Sequence, residues 1–258
     1  MQKAVISEPK MQAKTDGRSQ RTPRRALGAE VYDTLRAALV DGRFAPGEPL
    51  SEPQIAEMLE TSRSPVREAI SRLETEGLIE RTATGRLRAA PLDRGELEQL
   101  YVLRATIEGL AARLATPRMT MQDLDAMAAT IERMETLAGA GDVPGSLEAG
   151  AAFHEMIQTR SQNAPLAETI EAVRLRIVRY RSIIAAARPR EMRASEHRAV
   201  LQAMRDHDPM RAEQEMKRHV EASAQSILRS MRDAGAEGGL TGTMEDGVAN
   251  HGISRGRS

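Results

Sequence analysis

Cysteine and tryptophan are absent from this 258-residue sequence, and its aromatic residues are limited to three tyrosines and two phenylalanines. Without cysteine the chain has no disulfides, no thiol nucleophile and no thiolate-bound metal, which is typical of a reducing compartment. No apolar run approaches the roughly 18 residues that span a bilayer, and no signal-peptide pattern follows the first residue. We therefore expect a cytoplasmic protein with no membrane contact.

Basic and acidic residues number 37 each, so the whole chain carries no net charge that would attract nucleic acid or membranes. Residues 1–26 have seven basic and two acidic side chains and little apolar periodicity, which predicts a disordered basic tail. A nonspecific phosphate contact is the alternative for this segment. Residues 234–258 contain seven glycines and predict a disordered C-terminal tail. Between the tails we expect two domains, at 27–92 and 95–233.

The segment 27–92 has short elements broken by glycine and proline. Apolar periodicity predicts a first helix from about Leu27 to Val40, and Ser51 with Gln54 predicts a capping pair at the start of a second. A third helix is expected to start with Ser64 as N-cap and Pro65 at its first position. Two short apolar stretches, at 79–82 and 86–89, then predict a β-hairpin. This order is that of a winged helix-turn-helix, in which the third helix enters a major groove of DNA.

Arginine and serine side chains cluster where such a helix would meet DNA. Arginine would reach base edges or phosphates, and serine hydroxyls would donate to phosphate oxygens. The residues expected in this contact are Ser62, Arg63, Ser64 and Arg67 at the third helix, with Arg86 and Arg88 in the hairpin. The local excess of basic residues over 61–88 is small, so a small α/β module with scattered arginines is an alternative from spacing alone.

Four motifs resemble the DNA-binding domain of GntR-type bacterial transcription regulators: LSE at 50–52, IA at 55–56, SRSPVREAI at 62–70 and RLETEGLI at 72–79. The resemblance spans about 65 residues and implies that Arg63 and Arg67 contact DNA, assisted by Ser62 and the wing. Three features depart from the usual pattern: Pro53 stands where an arginine often contacts DNA, Glu60-Thr61 replaces the common Gly-Val, and Arg86 occupies the wing tip. These departures affect the expected operator sequence.

The segment 95–233 has no strand signal. Its periodicity predicts six amphipathic helices, at about 95–115, 121–137, 147–161, 165–187, 191–206 and 209–232, and hence an antiparallel bundle. His154, His197 and His219 each lie beside an apolar stripe on a different helix. Each could be an ordinary core histidine, but three that converge in one bundle could bind a divalent cation. The whole chain is therefore expected to be mainly α, with a small β-hairpin.

Arg104 lies beside an apolar stripe with Glu108 one helical turn later. One interpretation is a solvated i,i+4 ion pair worth a few tenths of a kcal/mol. The other is a buried arginine that binds the carboxylate of an effector with two parallel hydrogen bonds. The sequence alone leaves both open.

This half resembles the FCD ligand-binding domain of the FadR-like branch of the same family. The motifs are LRATIE at 103–108, FH at 153–154 followed by Asn163, EH at 196–197, and HV at 219–220. The resemblance implies a bundle of six or seven helices that binds a small carboxylate metabolite, often beside a divalent metal held by one Asp and three His. His154, His197 and His219 match the histidines. Gly150 stands where the family has its Asp, and Glu148 is poorly placed to replace it, so we expect weaker metal binding that favours zinc or nickel over manganese.

We therefore predict a ligand-responsive transcription regulator, acting as a repressor. A homodimer would bind a palindromic operator on double-stranded DNA, in a bacterial cytoplasm and associated with the nucleoid. Two alternatives remain at this stage: a metal-responsive regulator without an organic effector, and a three-histidine metalloenzyme. The enzyme is disfavoured because Gly150 leaves no carboxylate beside the site to act as a general base.

Overall fold

The structure, a computed structural model, describes residues 21–185 and 194–236. Its N-terminal domain contains three helices, α1 Arg21–Val40, α2 Glu52–Met58 and α3 Arg63–Thr75, and three short strands, β1 Pro49–Leu50, β2 Ile79–Arg81 and β3 Leu87–Ala89. The strands form an antiparallel sheet in the order β1-β3-β2, with Leu50 opposite Leu87 and Arg81 opposite Leu87. This is the expected winged helix-turn-helix.

Four details of this domain differ from the predictions. Helix α1 begins at Arg21, so residues 21–26 are helical rather than part of a disordered tail; Pro23 is compatible with this because a first-turn residue needs no N–H donor. Ser51 makes no side-chain capping bond, so the predicted capping pair is wrong. The N-cap of α3 is Ser62 instead of Ser64, because helical geometry already begins at Arg63. Strand β1 was not predicted, since two residues carry no periodicity.

The C-terminal domain is a bundle of six α-helices within the described residues: α4 Arg94–Ala115, α5 Met121–Gly139, α6 Val143–Ser161, α7 Ala164–Ala185, α8 Ala194–Arg205 and α9 Pro209–Ala236. A short 3-10 helix, Thr116–Arg118, connects α4 to α5. The six predicted helices are confirmed. Helix α6 begins four residues early, where the side chain of Asp142 accepts a hydrogen bond from the backbone of Gly145. The predicted boundaries at 187 and 191 lie outside the described residues.

Each domain has its own apolar core, and α7 contributes to both. Fully buried side chains such as Leu97, Met127 and Phe153 fill the bundle. The N-terminal core is built around Leu35, Leu73 and neighbouring residues, and Leu175 of α7 packs into it. The winged helix therefore rests on the bundle of its own chain through α7. Helix α9 runs three residues past the predicted limit of 233. Of the tails predicted at 1–26 and 234–258, residues 1–20 and 237–258 lie outside the described residues.

The start of α5 carries a complete capping box. The Thr120 hydroxyl accepts from the Asp123 N–H at 3.2 Å, and Asp123 Oδ2 accepts from the Thr120 N–H at 2.9 Å. Hydrogen bonds from Thr120, with a further one from Arg160, lower the pKa of Asp123 to about 2. Since the folded pKa is below the unfolded one, this stabilisation is complete at neutral pH and is lost as the pH falls from about 4 towards 2.

Replacing Thr120 by alanine is expected to reduce the free energy of unfolding by about 1 kcal/mol, because the first-turn N–H of Asp123 loses the hydroxyl that accepts its hydrogen bond. The matched control is Thr130→Ala, whose hydroxyl only donates to the Ala126 carbonyl within the same helix. That change should stay within about 0.5 kcal/mol. Denaturant unfolding followed by circular dichroism measures both, and equal losses in the two variants would contradict the capping role.

Candidate effector pocket and DNA-binding surface

The N-terminus of α3 forms an exposed edge of the winged helix. Ser62, Arg63 and Arg67 are exposed there, and Ser64 is half-buried. Arg67 Nε donates to Glu52 Oε2 of α2 at 2.7 Å, whereas Arg63 forms no ion pair with any described residue. The structure therefore brings the predicted serines and arginines together on one edge, with one arginine already oriented by a carboxylate.

The wing contributes a single unpaired cation among the described residues of its two strands and turn. Arg86 is exposed beside Gly85, whose φ of +79° suits glycine at the turn. Arg81 binds Glu74, and Arg88 forms an ion pair with Glu80 directly opposite it in the sheet. Like Arg67, Arg88 therefore already has a carboxylate partner within its domain, and its contact with DNA stays a prediction.

The three predicted histidines come together inside the bundle. His154 of α6, His197 of α8 and His219 of α9 are 8%, 5% and 8% exposed, and one ring nitrogen from each lies within 4.8 Å of the others. Phe153 packs edge-on against His197 with the ring centroids 4.9 Å apart, which restricts the orientation of that imidazole. The cluster is a preformed group of three nitrogen donors.

Two carboxylates lie behind the histidines. His154 Nδ1 is 2.7 Å from Glu108 Oε2, and His219 Nδ1 is 3.1 Å from Glu196 Oε2. When each Nδ1 carries the proton that faces its carboxylate, each Nε2 presents a lone pair. These two Nε2 atoms are 3.2 Å apart. Two lone pairs at that distance repel each other unless a proton or a cation lies between them.

Burial sets the protonation of one member of this cluster, His219. Burial lowers the pKa of His219 well below its ordinary value, and the electrostatic effects of His154, Arg104 and Arg181 act in the same direction, against that of Glu108. His219 is therefore neutral at pH 7. Neutral imidazole is the form that binds divalent metals.

Arg104 and Glu108 form a buried ion pair. They are only 5% and 3% exposed, and Arg104 Nε donates to Glu108 Oε1 at 2.6 Å. Burial alone would raise the pKa of Glu108, but the ion pair with Arg104 and the contact with His154 outweigh it and hold that pKa far below its usual range. The solvated-pair interpretation is wrong. Arg104 does line the pocket, but its guanidinium already binds a carboxylate of its own chain, and through Glu108 it orients His154.

Gly150 lies one helical turn before His154 and is buried in the pocket wall. Having no side chain, it offers no metal ligand. Glu148 also borders the pocket, but it is exposed and is not part of the cluster. Within the described chain, the group with metal-ligand spacing consists of the three histidines alone. The carboxylates nearest to it contact imidazole Nδ1 atoms instead of the space between the rings.

The histidines open into a cavity of about 440 Å³ walled by α4, α6, α7, α8 and α9. Sequence reasoning missed several of its polar residues, namely Arg174, Arg181, Ser182, Ser223, Ser226 and Arg229. One signal was available: Ser223 and Ser226 follow His219 at intervals of four and seven residues, which places them on the same face of α9. Nothing comparable marked the residues of α7.

None of the helices in the described residues is long and apolar enough to cross a membrane.

Comparisons with known proteins agree with this architecture. Residues 27–86 match the gntR family of bacterial regulatory proteins, and residues 99–222 match the FCD domain. The chain is 28% identical over 207 residues to a probable D-xylose utilization operon transcriptional repressor of Paenarthrobacter nicotinovorans, covering 80% of this chain and 91% of the relative. It is 31% identical over 137 residues to an uncharacterized HTH-type transcriptional regulator of Agrobacterium vitis, covering 49% of this chain and 76% of the relative.

Among solved structures, McbR/YncC of E. coli superposes with a TM-score of 0.66 at 24% identity, covering 80% of this chain and 98% of the other. At that identity the likeness shows the fold, a winged helix joined to a helical domain. The family and the regulatory function are established by the two domain matches together with the curated relatives. The chain belongs to the GntR family of bacterial transcription regulators, with an FCD domain at its C-terminal side, and it is a DNA-binding regulator rather than an enzyme.

Proposed function

We propose that this regulator is a repressor of the FadR-like branch whose FCD domain binds a small carboxylate effector beside a divalent metal, and that binding changes its affinity for DNA. The observation that carries this proposal is the position of α7. Arg174, Val178 and Arg181 of α7 line the histidine pocket, while Leu175 of the same helix packs in the core of the winged helix.

The donor set is compatible with zinc, nickel or manganese. Two imidazole nitrogens bound to one zinc ion at about 2.0–2.1 Å stand roughly 3.3 Å apart in tetrahedral geometry. The 3.2 Å between the Nε2 atoms of His154 and His219 is close to that separation. Glu108 and Glu196 supply the outer carboxylates that orient metal-binding histidines. A bound cation would supply positive charge and open coordination positions for the effector carboxylate.

Helix α7 also contacts the linker and the start of the bundle. The backbone N–H of Asp93 donates to Tyr180 Oη at 3.1 Å, and Arg176 forms an ion pair with Glu96. Ile183 lies so close to Gly42, at the end of α1, that a Cβ there would meet its side chain at 3.1 Å. A small shift of α7 on ligand binding would therefore move the winged helix relative to the bundle, which is how a ligand biases one of two arrangements.

Dimerisation through the FCD domain would present two winged helices to a palindromic operator, in the bacterial cytoplasm where the chromosome lies. Helix α4 offers two exposed apolar side chains for this contact, since Val102 is 71% and Leu103 is 43% exposed. The Paenarthrobacter relative is named a repressor, which supports the direction of regulation proposed here.

Leu175→Ala is the variant that tests this coupling. Operator DNA is selected from random duplexes with the purified protein, and its affinity is measured by fluorescence anisotropy for metal-free protein, with Zn²⁺, and with Zn²⁺ plus malate. We expect a change of about 5-fold to 150-fold in the wild type, the usual range of allosteric coupling. In Leu175→Ala the change should fall at least severalfold while the metal content stays the same, because the pocket is intact.

The matched control is Leu166→Ala. Leu166 is also in α7 and also 8% exposed, but it packs in the bundle core instead of the winged-helix core. The coupling should persist in that variant. An equal loss in both variants would mean that the Leu175 contact has no special role, and a wild type that responds to none of the additions would contradict ligand-responsive regulation. A full response to Zn²⁺ alone would instead favour a metal-responsive regulator.

A further inference from the structure

Among the described arginines that line the cavity, Arg181 is the one with a buried guanidinium nitrogen that has no hydrogen-bond partner. Its side chain is half-buried in α7, and its Nη2 donates to the Ser223 hydroxyl of α9 at 2.8 Å. Its Nε is buried and has no hydrogen-bond partner among the described residues. A buried charged donor without an acceptor costs free energy, and a cavity-lining arginine in this state is a ready binding group for an anion.

The four arginines that line the cavity fall into two groups. Arg104 binds Glu108, and Arg174 binds both oxygens of Glu171, so their charges are compensated within the chain. Arg181 and Arg229 form no ion pair with any carboxylate in the described residues. The cavity therefore keeps positive charge from Arg181 and Arg229 in addition to any charge that a metal at the histidines would bring.

Serine hydroxyl groups line the same cavity as these arginines. Ser182 of α7 and Ser226 of α9 line the cavity near the Arg181–Ser223 contact. Glu148 and Glu196 also line it, but Glu148 is exposed and Glu196 contacts His219. Neither forms an ion pair with Arg181. An arginine with serine hydroxyls beside it is a chemistry suited to the oxygens of carboxylate or phosphate groups.

We infer that Arg181, with Ser223 and Arg229, forms a second anion-binding subsite, so that the effector carries two anionic groups. This inference rests on the proposed function, in which the first carboxylate lies at the histidine cluster. The second group is a carboxylate or a phosphate. The cavity of about 440 Å³ has room for such an elongated molecule, well beyond a two-carbon or three-carbon monocarboxylate.

The binding of three α-hydroxy acids tests whether a second anionic group is recognised and whether it is a carboxylate or a phosphate. Binding is measured by isothermal titration calorimetry with Zn²⁺-loaded, desalted full-length protein. Malate and 2-hydroxybutyrate share the α-hydroxy carboxylate and differ in whether carbon four is a carboxylate or a methyl group. 3-Phosphoglycerate shares the same end and carries a phosphate. We expect malate to bind about tenfold or more tightly than 2-hydroxybutyrate, as a charge-assisted hydrogen bond predicts. Tighter binding of 3-phosphoglycerate than of malate identifies phosphate as the second group.

Arg181→Gln should remove this preference. Malate affinity should fall to that of 2-hydroxybutyrate, whose own affinity should stay within about twofold, showing that the protein is folded and the histidine site intact. Arg181→Lys should restore part of the preference, because it keeps the charge without the planar geometry. The control is Arg211→Gln, which removes an exposed arginine paired with Asp206 at the start of α9 and should leave both affinities unchanged.

The outcomes separate the second subsite from the proposed function. Equal binding of malate, 2-hydroxybutyrate and 3-phosphoglycerate to the wild type overturns the second subsite but leaves the proposed function standing. A malate preference that survives in Arg181→Gln likewise overturns the role of Arg181. Binding of none of the three acids by the metal-loaded protein overturns the proposed carboxylate effector, and the second subsite with it.

Discussion

Replacing His197 by alanine is expected to reduce the bound metal from about one ion per chain to none after incubation with Zn²⁺, Ni²⁺ or Mn²⁺ and desalting. Three imidazoles are the donors that the cluster offers, and Gly150 provides no fourth ligand. Two imidazoles alone would bind the ion too weakly to retain it at the low free metal concentration after desalting. Elemental mass spectrometry of the untagged protein measures the content directly.

His207→Ala is the control for this experiment. His207 is exposed between α8 and α9, with a φ of +53°, and lies outside the cluster. It should keep the wild-type metal content. Metal should also raise the unfolding temperature of the wild type and of His207→Ala, because a ligand at 100 times its Kd stabilises the folded state by about 2.7 kcal/mol.

Two results would contradict the metal proposal. Metal retained by His197→Ala would place the ion elsewhere in the chain. A wild type that holds none of the three metals would mean that Gly150 marks a site that has lost its metal, since the fourth ligand is missing. The effector anion would then be bound by Arg181, Arg229 and the histidines alone.

The sequence predicted the helices of the bundle well because their signals are local. Amphipathic periodicity repeats over several turns in each helix, and the spacing of Thr120 and Asp123 is that of the capping box with which α5 begins. The same motif type failed at Ser51. There Pro53 stands in the first turn and the Ser51 side chain makes no capping bond. A cap depends on side-chain orientation, which the spacing of residues does not specify.

The sequence predicted the histidines that could bind a metal, but it did not predict the buried ion pair beside them. The three histidines were found because each lies beside an apolar stripe. Arg104 and Glu108 look the same in sequence whether solvated or buried, since an i,i+4 pair occurs on both kinds of helix face. The burial of this pair comes from α6 and α9 packing over α4. The partner of Glu108 on the far side is His154, which lies 46 positions later in the sequence.

The contribution of α7 to both domains also could not be predicted from the sequence. Leu175 has the apolar character of any core leucine, and nothing local shows that it packs into the other domain's core. Arg174 and Arg181 are two of four arginines between 174 and 181, and their spacing does not reveal which ones face a cavity. Such roles are set by contacts between segments that are distant in the chain, and these depend on the packing of whole domains.

Arg63→Ala is expected to weaken specific operator binding by about 1–3 kcal/mol for each base that the side chain reads, which is roughly a 5-fold to 150-fold increase in Kd. Arg63 is exposed at the start of α3 and has no ion-pair partner among the described residues, so its whole charge is available to DNA. Arg67 must first leave Glu52. Since an exposed pair is worth only about 0–1 kcal/mol, Arg67→Ala should also weaken binding, by somewhat less than Arg63→Ala.

Arg133→Ala is the matched control, because it removes one exposed arginine from α5 in the other domain. Fluorescence anisotropy at several salt concentrations separates the two kinds of contact. Removing a phosphate contact weakens binding to all sequences and lowers the salt dependence, whereas removing a base contact weakens binding to the operator more than to random DNA. Wild-type affinity in both Arg63→Ala and Arg67→Ala would show that α3 is not the recognition helix. An equally large decrease in affinity in Arg133→Ala would show that net charge, and not the edge formed by α3, controls binding.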